Sequence, residues 1–147
     1  MPAQAYDWTC SICSTTWVLQ ATSTAFQDAD IYDARYAVGI EMGYPGCVNE
    51  TYGCMSPQCV VDELGQHGLL ARQVWCNFDQ AYAIARTNTG VINPTGQYHF
   101  MGVRGISGSD IWVANSAPGY RGVYDTLSRA QFNNLGPVSL IYVESRA

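Results

Sequence analysis

The 147-residue chain contains no lysine; its seven basic residues are all arginine, against twelve acidic ones, and the formal net charge is -5. That balance excludes a sequence-independent nucleic-acid binder, which needs many cations along one face to displace the counterions of a phosphate backbone. No apolar run approaches the roughly 18 residues of a membrane span, and Met1 to Tyr6 has neither the basic start nor the apolar stretch of a secretory leader. Internal repeats, low-complexity tracts and long linkers are also missing. What is abundant is apolar: 48% hydrophobic and 12% aromatic residues supply one sizeable core. The expectation is a soluble single domain over 1–147, made in the cytoplasm, without a nucleic-acid or membrane partner.

Six cysteines, at 10, 13, 47, 54, 59 and 76, allow three disulfides and 15 pairings. The missing leader argues for reduced thiols. Cys47, Cys54 and Cys59 nevertheless share a Gly/Pro-rich loop, where a cross-link is most expected, with the pairing left open.

Periodicity divides the chain. A helix is expected from Thr9 as N-cap through CSICSTTWVLQA, a second over 29–42, stopped by Gly43, Pro45 and Gly46, and a third opened by Ser56-Pro57, with Val60, Val61 and Leu64 inward, ending near Gly68. The period then changes to two: a strand up to Cys76 is followed by a helix over 78–87, capped by Asn77 with Gln80. Strands are expected over 90–93, 98–104, 111–115, 122–124 and 138–143, with a hairpin turn over 105–110 and a short helix over 128–133. Helices first and antiparallel strands later make an α+β fold, the helical N-terminal half packed on the sheet.

Only two histidines occur. His67, at a helix end beside Gly68, reads as a solvent-facing residue. His99 opens the apolar run HFMGVRG, where an imidazole has no packing advantage over valine. Cys10 falls in the first turn of a helix, where unpaired N–H groups and the helix dipole favour a thiolate. Gln4, six residues earlier, can bring an amide N–H beside that helix start as an oxyanion donor. Asn115 ends the strand that follows the His99 strand through the hairpin, and its carbonyl can fix one imidazole tautomer.

The segment QAYDWTC ending at Cys10, the SICSTTWVLQA after it, and the later YHFMGVRGISGSDIWVANSAPG resemble a papain-like cysteine peptidase, closest to the C39 (double-glycine) branch. The resemblance covers most of the chain apart from the 47–59 loop. It implies a papain-like α+β fold, thiol hydrolysis of peptide bonds without cofactor or metal, Cys10 as nucleophile, His99 as base, Asn115 as orienting residue and Gln4 in the oxyanion hole. Ser11 stands where the family often has Gly, and Asn115-Ser116 where it often has Asp-Pro. Papain's own cysteine three residues before its nucleophile would favour Cys13; the step from Gln4 favours Cys10.

The lysine-free, tryptophan-bearing composition is also similar to peptidase modules of actinobacteriophage lysins, which implies a peptidoglycan stem-peptide substrate and further lysin or virion domains or subunits as partners. Four alternatives remain: a double-glycine leader-processing peptidase; zinc on Cys10, Cys13, Cys54 and Cys59; a redox CxxC at 10–13; and a non-catalytic virion component on the same scaffold. Asp7, near Cys10, is a candidate for substrate binding.

Overall fold

The computed structural model describes residues 10–22, 31–42, 48–49, 53–54, 57–94, 100–114 and 124–146. At its centre is a helix whose middle turns are buried all round. Ser14, Thr15, Thr16, Trp17, Val18 and Leu19 of α1 (Cys10–Thr22) are all buried. A helix enclosed all round needs no amphipathic stripe, and the small hydroxyl residues let neighbouring elements approach closely. α2 (Ile31–Glu41) and α3 (Pro57–Gln66) pack against α1; Val38, Val60 and Leu64 meet Val18 and Leu19 in one core cluster.

The remaining elements are β1 (Val48–Asn49), β2 (Gly53–Cys54), β3 (Leu69–Cys76), α4 (Phe78–Ala85), β4 (Thr89–Pro94), β5 (Met101–Ser107), β6 (Asp110–Ala114), β7 (Tyr124–Leu127), α5 (Arg129–Asn133) and β8 (Val138–Arg146). Six strands form one antiparallel sheet in the order β3-β8-β4-β5-β6-β7. Helices cover both of its faces. Val91, Phe100, Ala114 and Ile141 face α1, α2 and α3. Ile92, Met101, Val113 and Leu140 face the second cluster, with Phe78 of α4 and Phe132 of α5. The central strands therefore read as apolar runs: Gly90, Val91 and Ile92 are buried in succession, as are Val138 to Ile141. Edge strand β3, open on one side, keeps charge and exposes Leu70 and Trp75.

The second helical layer is fixed by local chemistry legible in the sequence. Asn77 and Gln80 form a complete capping box on α4, and Ser128 and Gln131 another on α5. Phe78 meets Phe132 edge-on at 5.6 Å between ring centroids, and the Arg129 guanidinium lies 4.7 Å from the centre of the Phe78 ring. Tyr82 Oη donates to the Gly108 carbonyl at 2.6 Å, tying α4 to the β5–β6 hairpin. That hairpin turns on Gly108 and Ser109, and Gly108 has φ +59°, the left-handed backbone that a two-residue turn requires.

Several expected boundaries move. α4 stops at Ala85 rather than 87, where the Thr87 and Asn88 N–H groups both turn back to the Ile84 carbonyl. The strand expected over 122–124 is β7 at Tyr124–Leu127: pairing with β6 overrides the poor strand propensity of Asp125. β8 runs to Arg146, three residues past 143, because β3 pairs with it along its length. β1 and β2 pair within what reads as loop, strands too short to show a period. His67 is not solvent-facing: its Nε2 lies 2.6 Å from Glu41 Oε2 and 3.1 Å from Glu63 Oε1, linking the ends of α2 and α3.

Candidate active site

Cys10 is the first residue of α1, so its backbone N–H belongs to the first turn, where helical donors lack intrahelical partners. Four residues later, about one turn, Ser14 Oγ donates to the Phe100 carbonyl at 3.0 Å, with both residues buried. Phe100 directly follows His99 in the chain, and β5 begins at Met101. The neighbouring strand β6 closes at Ala114, immediately before Asn115, and Ala114 pairs with Gly102. Phe100 and Ala114 join Trp17 in the cluster around α1. The helix opened by Cys10 is thus tied, one turn in, to Phe100, the residue that follows His99 in the chain.

Gln4, Asp7, His99 and Asn115 lie outside the described residues, as do the side chains of Cys10 and Cys13. Ser14 escaped sequence reasoning because a serine inside a helix carries no signal of its partner 86 residues away. We expect Ser14→Ala to cost about 1–3 kcal/mol of folding stability, because it leaves the buried Phe100 carbonyl without this donor. Chemical denaturation would measure this; a change below about 0.5 kcal/mol would show that the bond contributes little.

The other cysteines divide by chemistry. Cys59 is disulfide-bonded, which removes it from the four-thiolate zinc set and gives the 47–59 region a cross-link at that residue. Cys76 carries a free thiol on β3, and burial pushes it up to about 11, so it is protonated and inert at neutral pH.

An α+β chain with a central helix beginning on cysteine, laid against a six-stranded antiparallel sheet, has the fold of papain-like C39 peptidase domains. Among the solved structures similar to it is a double-glycine-motif protease from an AMS/PCAT transporter, in complex with the leader peptide. The TM-score is 0.68 at 14% identity, over 96% of this chain and 89% of that one. Another is the peptidase domain of Streptococcus ComA, a bifunctional ABC transporter involved in quorum sensing, with TM-score 0.69 at 12% identity, over 97% and 96% of the two chains. The N-terminal C39-like domain of a Vibrio parahaemolyticus toxin-secretion ATP-binding protein gives 0.54 at 9% identity, over 98% and 100%. No protein-family model and no curated protein matches the chain significantly.

Proposed function

We propose that this chain is a cysteine peptidase with Cys10 as nucleophile, His99 as general acid and base, Asn115 as the residue that orients the imidazole, and Gln4 as oxyanion donor. The observation that carries the reading is the buried Ser14–Phe100 hydrogen bond, which ties the helix opened by Cys10 to the residue next to His99. The C39 peptidase fold supports it independently.

In this scheme the Cys10 thiolate, favoured by the helix start, attacks the scissile carbonyl carbon. The negative charge moves to the carbonyl oxygen, where the Gln4 amide and the Cys10 N–H receive it. Protonated His99 gives its proton to the leaving amine as the C–N bond breaks, leaving a thioester on Cys10. His99 then takes a proton from water, hydroxide adds to the thioester, and the peptide acid departs with the thiolate restored. Thiol and imidazole carry every step, so a chelator is expected to leave turnover unchanged.

For the substrate, the similarity to a double-glycine-motif protease bound to a leader peptide favours a peptide bearing a Gly-Gly motif. The lysine-free composition is the feature that favours a peptidoglycan stem peptide instead. The test incubates the chain with a synthetic leader peptide carrying Gly-Gly, with its Ala-Ala counterpart, and with purified peptidoglycan, and identifies products by mass. Cleavage at Gly-Gly but not Ala-Ala is the expected result. Release of stem-peptide fragments would assign the lysin substrate, and no cleavage in any arm would leave a non-catalytic scaffold.

A further inference from the structure

Three donor atoms converge where α2 and α3 end. Glu41 is the last residue of α2, Glu63 lies in the last turn of α3, and His67 follows four residues after Glu63, so the two stack on one side of the helix end. One nitrogen and one oxygen from each carboxylate lie within 4.8 Å of one another.

The electrostatics of this corner are short of positive charge. Both helices direct their carbonyl ends here, and neither has a basic residue in its last turn. Two carboxyl groups share a single imidazole. Glu63 is only 1% exposed, and its Oε2 is fully buried with no hydrogen-bond donor facing it. A buried carboxyl oxygen without a hydrogen-bond partner is costly. Burial, together with a hydrogen bond to Glu41 and its charge, pushes Glu63 up to about 9, so the cluster retains a proton at neutral pH.

We propose that Glu41, Glu63 and His67 form a binding site for a divalent transition-metal ion, with Zn2+ as the fitting ion, which clasps the end of α2 to the end of α3. One imidazole and two carboxylates are a donor set that zinc takes with a fourth position left to water. Binding displaces the proton that Glu63 holds, and the ion's two charges then balance the two carboxylates. At zinc–ligand distances of about 2.0–2.2 Å, tetrahedral donors stand roughly 3.3 Å apart. The His67–Glu63 separation of 3.1 Å is already close to that, and the 2.6 Å His67–Glu41 hydrogen bond must open by about 0.7 Å. Glu41 supplies the room: its side chain is 33% exposed and can move, with His67 at 18% forming the same rim. None of the three residues belongs to the proposed thiol machinery, so the ion is expected to act on stability rather than on turnover.

The test titrates zinc chloride into the full chain after dialysis against EDTA, following heat release and thermal unfolding. Glu41→Gln is the main variant, because Glu41 is on the surface and its replacement leaves the fold intact; His67→Gln is the second. One equivalent of zinc is expected to bind the native sequence and raise Tm by several degrees. Each variant is expected to bind at least roughly tenfold more weakly and to lose the Tm shift. Cobalt should show visible ligand-field bands with the native sequence that both variants lack. Equal zinc binding and equal Tm shifts in the native chain and Glu41→Gln would place the ion elsewhere, on thiols for instance, and would overturn the proposal. Absence of any zinc-dependent shift in the native chain would overturn it as well.

Discussion

Cys10→Ala is expected to abolish peptide hydrolysis, with a loss of three orders of magnitude or more in kcat, while thermal unfolding stays close to that of the native chain. A nucleophile supplies the bond that splits one difficult step into two, and alanine supplies none. The same substitution is expected to remove fast alkylation by iodoacetamide at mildly acidic pH. The helix start is expected to favour a thiolate at Cys10. Cys76 is held near 11 by burial, and Cys59 has no thiol to offer. Mapping the labelled peptide by mass spectrometry tests both readings of the helix together. Rapid labelling of Cys13 that survives Cys10→Ala would move the nucleophile one turn along. Slow, uniform labelling would remove the hydrolase proposal and keep the fold.

Gly90→Ala is expected to be the most damaging single substitution for folding, costing about 3 kcal/mol or more and lowering Tm by on the order of 10 °C. Gly90 sits in β4 between β5 and β8, paired with Val103 and Tyr142. A Cβ placed there would collide with the Ile141 carbonyl oxygen, and Tyr142 Cα would be 3.0 Å away. Both obstacles are backbone atoms of a central strand, so no side chain can swing aside. Equilibrium unfolding of the variant decides the matter: a loss below about 1 kcal/mol would mean the two strands can separate at little cost.

How much of this was legible beforehand depends on the range of the interaction. The Asn77–Gln80 capping box, the hairpin within 105–110 and the start of the cysteine helix are written within four to six residues, and each stands where the sequence places it, whereas Ser128, expected as a helix residue, is the N-cap of α5. The fold class followed from helical period before Gly68 and strand runs after it. Strand β7 was misplaced because its identity comes from pairing with β6 rather than from its own residues. The sequence places His67 in solvent because its partner Glu41 lies 26 residues away, and Glu63 four residues off does not by itself bury it.

The amino-acid sequence alone determined the order of the longer elements, the Asn77 cap and the 105–110 turn, and the identity of a cysteine at the head of a helix, since these rest on backbone preferences and neighbours within a turn or two. Tertiary structure alone decided that residues 14–19 of α1 are all buried, that Ser14 reaches the Phe100 carbonyl, that Gly90 must lack a side chain, and that Glu41, Glu63 and His67 meet. The physical reason is the same throughout. Such contacts join residues far apart along the chain, and their energies depend on distances of a few ångströms that exist only once the sheet and its two helical layers have closed on one another.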